Sequence, residues 1–278
     1  MVDEITFVQL SDTHFLADDG EVLGVRPVAQ LARVLARIVA LPTPPRFVLH
    51  TGDLIHDSGV AGYAHLRRAL APLGLPLVAA LGNHDARAAF REGFLGEAGG
   101  DERRYWQARD FDGLRVIALD SLMPGEIGGQ LGREQLLWLA NVLHQQAPHG
   151  VIVALHHPVA LASFPYLADG LPHDAPALAA ILAPHPPLLG VLAGHCHAPS
   201  VTARDGEHRK HRDVIRLSTH CPPLAVAHGA CSALLRAVWP SACACPGGAA
   251  PAYPVWQAVS GICATIRRPR RHPSGSLA

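Results

Sequence analysis

The chain has 278 residues, enough for one large domain with a substantial core, and its 49% hydrophobic content is that of a globular rather than a disordered protein. Lys plus Arg and Asp plus Glu number 23 each, so no net field points to nucleic acid or to an anionic membrane surface. No apolar run reaches the roughly 18–20 residues that cross a bilayer, and no basic stretch precedes an apolar one at the N-terminus; a cytoplasmic protein with reduced thiols is expected.

Residues 5–10 are β-branched and apolar, as in a strand buried within a sheet, and run into Asp12-Thr13-His14. Arg26-Pro27 opens a segment with Val28, Leu31, Val34, Leu35 and Ile38 at helical spacing, the proline sitting where a first-turn residue loses no hydrogen bond. Pro42, Pro44 and Pro45 end it. Residues 47–50 read as the next strand, ending in Gly52-Asp53, and Ser58 is a candidate cap for a helix to about residue 73. A third strand at 77–81 delivers Gly82-Asn83-His84-Asp85. This β-α-β-α-β order predicts parallel neighbours joined by right-handed crossovers.

Residues 86–112, with four glycines, are expected as loop. Strands follow at 114–119, 151–155 and 188–193, and helices at 134–146 and 176–182; residues 214–217 are a candidate further strand. The strand at 151–155 ends in His156-His157, and that at 188–193 in Gly194-His195-Cys196-His197. From about His220 the pattern changes: five of the six cysteines fall there, periodicity fades, and Arg267-Arg268-Pro269-Arg270-Arg271 reads as the start of a solvated tail. The expected division is a catalytic domain over 1–219 and an atypical segment over 220–278, either disordered or the translation of a shifted reading frame.

Five apolar runs thus end in metal-type side chains. In open α/β sheets ligands bind outside the carboxyl ends of the strands, and Asp12, His14, Asp53, Asn83, His84, His156, His195 and His197 all hold such positions. The oxygen and imidazole mixture suits Mn, Fe, Co or Zn better than Ca²⁺ or Mg²⁺. Eight residues exceed one tetrahedral site, whereas two adjacent metals sharing a carboxylate would use them. Gly52, Gly82 and Gly194 each directly precede a candidate, where a missing Cβ permits a sharp turn or a close backbone approach.

Asp12-x-His14, Gly52-Asp53, Gly82-Asn83-His84-Asp85, His156 and Gly194-His195-x-His197, in this order, resemble the calcineurin-like metallophosphoesterases, and in particular their class III cyclic-nucleotide phosphodiesterase branch, over about residues 5–200. The resemblance implies an α/β four-layer sandwich of two mixed β-sheets flanked by α-helices. It implies that Asp12, His14 and His197 bind one metal, Asn83, His156 and His195 the other, and that Asp53 bridges. It further implies a metal-bridging hydroxide that attacks phosphorus in line, with His84 contacting phosphate and assisting the leaving group. Asp85 is placed to orient His84 and to favour its protonated form.

The cofactors expected are two divalent or mixed-valence ions, Fe or Mn first and Zn or Co after them. The expected substrate is a small phosphodiester, 3′,5′-cyclic nucleotides before glycerophosphodiesters, nucleotide-sugar pyrophosphates or phosphomonoesters, with a non-catalytic metal-binding scaffold as the rival from another class. A homodimer is possible, although the atypical C-terminal segment leaves the family's contact open. No basic cluster near the motifs suggests a polyanionic substrate. His157 is expected as a structural residue, and His50, His56, His65, His144, His149, His173 and His185 as surface or core histidines. Asp120-Ser121 reads as a capped turn, and Cys196 as a small hydrophobe turned away from the metals. The loops 15–25, 86–112 and 158–174 are expected as pocket walls. Their aromatic residues, Phe15, Phe90, Phe94, Tyr105, Trp106, Phe164 and Tyr166, could stack on a base or simply fill those walls.

Overall fold

A computed structural model describes residues 4–56, 59–159, 172–185, 188–197, 215–218 and 260–267. Among the described residues, nine strands form two sheets. The first contains β1 (Glu4–Ser11), β2 (Val48–Thr51), β3 (Leu77–Ala80), β8 (Ile215–Ser218) and β9 (Ser260–Arg267), in the order β3-β2-β1-β9-β8. The second contains β4 (Gln107–Phe111), β5 (Leu114–Ala118), β6 (Val151–Ala154) and β7 (Leu188–Leu192), in that spatial order. Strands β1, β2 and β3 pair in parallel, as do β5, β6 and β7, while β4 and β9 are antiparallel to their neighbours.

Successive strand residues point to opposite faces, and that alternation sorts the core into layers. Ile5, Phe7, Leu49, Val78 and Ala80 of the first sheet meet Leu114, Val116, Ala118, Ile152 and Ala154 of the second. The Phe47 ring stacks on Phe7 of its own sheet and on Phe111 of the other, with centroids 4.9 and 4.2 Å apart. The intervening residues Val8, Leu10, Val48 and Ala79 face outward onto Leu31 and Ile38 of α1 (Pro27–Val39) and Leu66 of α2 (Val60–Leu70). Ile117, Val151 and Val153 face the opposite way, onto Leu136 and Leu139 of α4 (Arg133–Leu143) and Leu178 and Leu182 of α5 (Ala175–Leu182). The result is the expected helix–sheet–sheet–helix sandwich.

Between the sheets' helical flanks lies a shorter helix, α3 (Arg87–Phe90), continued by a π-helical turn over Arg91–Leu95. Residues 86–112 are therefore less loop-like than expected, and β4 is a strand the composition hid. Its signal was the Asp112-Gly113 pair, whose φ angles of 49° and 88° make the tight reversal between β4 and β5. The helix expected to be capped by Ser58 begins after Gly59; Ser58 lies outside the described residues.

The largest departure lies in the C-terminal segment. Arg267, assigned from sequence to the solvated tail, is the last residue of β9, which pairs along the whole of β1 from Glu4↔Arg267 to Ser11↔Ser260. Pairing through main-chain groups leaves little trace in residue type, which is why β9 was missed. The frameshift and disorder readings cover 220–278; of that segment, residues 220–259 and 268–278 lie outside the described residues.

Candidate metal centre

The layer between the sheets changes character along its length. It is apolar through Phe7, Leu49 and Ile152, then turns polar at the carboxyl ends of the strands, where the same alternation brings Gln9, Ser11, Thr51 and His156 to the inner face. Gln9 donates from Nε2 to Thr51 Oγ1 and to the Ala193 carbonyl across the sheets, at 3.1 and 3.2 Å. Thr51 donates to Ser11 Oγ at 2.7 Å, and Ser11 donates to Asp12 Oδ2. All four polar residues of this chain of bonds are buried, so Asp12 is oriented from below by a satisfied network.

Above that layer the backbone is held in costly conformations. Asp12, His14, Asp53, His195 and His197 have φ between 41° and 72°, a region that costs a non-glycine residue on the order of 1–3 kcal/mol each and persists only where its surroundings enforce it. The loops enforce one another: Asp12 N donates to Gly52 O, His14 N to Asp53 O, and His195 N to Asp12 Oδ1, at 3.0, 3.1 and 3.0 Å. Two glycines serve close approach rather than turning. A Cβ at Gly82 would overlap Asp53 Oδ1 and the His156 ring, and one at Gly194 would overlap Ser11 Oγ and lie 2.8 Å from Asp12 Oδ2.

Two sets of donor atoms converge. In one, His14 Nε2 is 3.2 Å from His197 Nε2, which is 3.3 Å from Asp12 Oδ1. In the other, Asn83 Oδ1, His156 Nε2 and His195 Nδ1 lie 3.1–3.2 Å from one another. Asp53 Oδ2 stands between them, 3.6 Å from His14 Nε2 and 3.4 Å from His156 Nε2. The seven candidate ligands thus lie close together, with Asp53 next to both sets.

The second set fits a cation on chemical grounds. His156 Nδ1 is 2.9 Å from the Thr51 carbonyl and must carry a hydrogen to bond it, so in a neutral ring Nε2 turns its lone pair toward Asn83 Oδ1, another acceptor. Such facing acceptors require a proton or a metal between them. Without a metal a proton serves: burial opposes the charge, but the Asp53 carboxylate outweighs it and raises the His156 pKa to about 9. His14 and His195 are driven the other way, both to about 4, chiefly by burial, and so present neutral rings suited to ligation. Asp53 is pulled well below the ordinary carboxylate range; burial acts against this, and the charges of His156 and His14 overcome it.

Asp85 is held by a dense set of donors. Its buried carboxylate accepts from the amides of Gly82 and Leu54 at 2.8 and 3.1 Å and from the Tyr63 hydroxyl at 2.8 Å. It therefore ties the Gly82–Asp85 turn to the loop after Asp53; burial and the Asp53 charge push its carboxyl up to about 7, against the pull of those donors. The His84 ring is described instead by its neighbours: it stands edge-on to His14 at 4.7 Å and stacks on His56 at 5.1 Å. His56, assigned from sequence to surface or core, belongs to the site.

Other expectations sort by burial. His157 is structural: it bonds Ser121 Oγ at 2.7 Å through Nδ1 and the Ile127 carbonyl at 3.0 Å through Nε2. Asp120 closes its turn by accepting from Leu122 N at 3.0 Å, and also pairs with Arg87 at 2.7 Å. Cys196 is a half-buried free thiol whose pKa is raised by burial and by Asp12. Phe15 and Phe90 are fully buried and Phe94 and Tyr105 pack against the same core, so these four fill walls; Phe164 and Tyr166 lie outside the described residues.

The family model described as Calcineurin-like phosphoesterase matches residues 5–199, the span that holds the seven candidate ligands and His84. The chain belongs to that family. Its gathered His and Asp groups are candidates for holding metal. A "Probable cyclic nucleotide phosphodiesterase" of Rhodococcus erythropolis is 41% identical over 155 residues, covering 54% of this chain and 51% of that protein. A "3',5'-cyclic adenosine monophosphate phosphodiesterase CpdA" of Pseudomonas aeruginosa is 34% identical, covering 69% of this chain and 70% of its own. A "cAMP/cGMP dual specificity phosphodiesterase" of Mycobacterium tuberculosis is 34% identical, with coverages of 70% and 62%. The chain thus spans about half the length of the first of these relatives. Among solved structures, a purple acid phosphatase from yellow lupin shares the fold at TM-score 0.50 and 16% identity, over 70% of this chain and 38% of that one. No helix among the described residues is long and apolar enough to cross a membrane.

Proposed function

We propose that the protein hydrolyses small phosphodiesters, 3′,5′-cyclic nucleotides first, at a dinuclear metal centre. The observation that carries this reading is the position of Asp53 Oδ2 between two donor sets, 3.6 Å from one and 3.4 Å from the other. Asp12, His14 and His197 would hold one ion, Asn83, His156 and His195 the other, and Asp53 both. Ions bound there supply Lewis acidity toward a phosphoryl oxygen and bring the pKa of water toward neutrality. The protein's own part is to fix those donors, and to offer His84, beside His14, as the group that holds a proton toward the leaving oxygen.

The substrate choice rests on charge and on relatives. The described residues that form the site include neither Lys nor Arg, so a diester with one negative charge suits it better than a polyanion. Iron or manganese is the proposed occupant because the donors mix carboxylate, amide and imidazole. A cytoplasmic setting belongs to the same reading, as does the option of a homodimer; cell fractionation and light scattering test these.

The deciding experiment loads purified protein with Mn²⁺ and compares cyclic AMP, cyclic GMP, bis(p-nitrophenyl) phosphate, a glycerophosphodiester, a nucleotide sugar and p-nitrophenyl phosphate. Turnover is expected on the cyclic nucleotides and the aryl diester. A preference for the monoester or the nucleotide sugar would reassign the substrate, and bound metal with no turnover on any ester would leave a scaffold.

A further inference from the structure

His56 has no assigned role in the metal centre, yet its half-buried ring meets two histidines there. Its backbone continues a strand-like ladder across the two ligand loops: Phe15 N donates to Leu54 O and His56 N to Phe15 O, both at 3.1 Å, with Phe15 and Ile55 bridged in parallel. That ladder sets the His56 ring against two others. Its Nδ1 is 3.4 Å from Nδ1 of His14, whose Nε2 belongs to the ligand set. An imidazole that ligates through Nε2 keeps its hydrogen on Nδ1, so His14 can donate to His56. The other face of the arrangement is a stack: His56 and His84 lie nearly parallel, 20° apart, at 5.1 Å. His84 is thereby held between the edge of His14 at 4.7 Å and the face of His56.

We infer that His56 is the positioning residue for His84, the part that sequence reading had given to Asp85. This rests on the phosphodiesterase reading above. The hydrogen bond from His14 fixes the His56 ring, and the ring fixes where the His84 nitrogens meet the leaving group. His56 also borders a groove of about 490 Å³ lined by Leu16, Asp18, Gly20 and Val22, so the side of the site it guards is open toward the loop after β1. The carboxylates of Asp18 and Glu21 along that groove suit a leaving group without further negative charge, such as a nucleoside hydroxyl.

The test uses Mn²⁺-loaded full chain and methyl aryl phosphodiesters whose leaving groups run from p-nitrophenol to phenol. A group that assists departure matters most when the leaving group is basic. His56→Ala is expected to lower kcat about tenfold on the phenyl ester and no more than about twofold on the p-nitrophenyl ester, a fraction of the full acid contribution. The double variant with His84→Ala should be no slower than His84→Ala alone. His56→Phe, which restores the stack on His84 but not the acceptor for His14, should recover only part of the lost rate. Mn²⁺ stoichiometry and melting temperature should match the wild type throughout. An equal loss on all esters, additive losses in the double variant, or weaker Mn²⁺ binding by His56→Ala would overturn the assignment. A wild-type chain that binds Mn²⁺ yet cleaves no diester removes the parent reading and this role together, whereas an active wild type with an indifferent His56→Ala removes only the role.

Discussion

The half of the centre built from Asp12, His14 and His197 and the half built from Asn83, His156 and His195 share Asp53 but differ in charge and in restraint. The first owns a carboxylate of its own and has one half-buried member, His197; the second has only neutral candidate ligands of its own, Asn83 and His195 half-buried and His156 fully buried with Nδ1 tied to the Thr51 carbonyl. On the proposed assignment the first half would attract a cation through its own carboxylate as well as through fixed donors, the second through fixed donors alone. They are not independent, because Asp12 also accepts from the amide of His195. The difference predicts that the first half takes the ion of higher charge.

Removing what the halves share should do the most damage. Asp53→Asn is expected to abolish the binding of both ions and to lower turnover by at least about 10³-fold, the scale of several kcal/mol of metal stabilisation; metal analysis after gel filtration checks it, and retention of two ions would break the bridging assignment. Next come the single-half variants. Asn83→Ala should leave about one ion per chain, whereas Asp12→Ala, through its bond to His195, should weaken both sites. Equal metal contents in the two would remove the asymmetry.

His84→Ala should slow turnover by about 10²-fold while leaving metal content intact. If the metal is lost with it, His84 is a ligand and the centre has a third partner on the His14 side.

Proton competition gives a graded test. In the metal-free protein a proton occupies His156, with a pKa of about 9, and must leave before Nε2 can ligate. Apparent Mn²⁺ affinity at the buried half should therefore rise about tenfold per unit between pH 7 and 9 and level off above. The carboxyls of Asp12 and Asp53, both held below the ordinary value, are ionised across that range and add no slope. Calorimetry at stepped pH reads this directly. The smallest effect is expected at Gly194→Ala, where the added methyl meets Ser11 Oγ and Asp12 Oδ2. Overpacking of this kind costs about 1–3 kcal/mol, seen as a melting point a few degrees lower and weaker binding at the first half.

Most of the site was legible because its ligands follow directly on buried strands, so each apolar run announced the motif at its end. The glycines were legible for the same reason, although contact with Asp53 and Asp12, rather than a turn, is what demands Gly82 and Gly194. Less was readable where structure depends on pairing. Residue type did not mark β4 apart from the Asp112-Gly113 reversal, and β9 was hidden because its partner, β1, supplies the order through main-chain bonds. Asp85 shows a related limit: sequence adjacency placed it beside His84, but could not show that its carboxylate accepts from Gly82, Leu54 and Tyr63.

Sequence alone therefore determined which side chains stand at the strand ends, since hydrophobic alternation and chain order are local properties that survive without a structure. Only the tertiary structure decided how two sheets bring those ends together, where Asp53 sits between the donor sets, and that the His56 ring stacks on His84. Those outcomes depend on distances between residues far apart in the chain, and on lone pairs that must be satisfied once they are buried together.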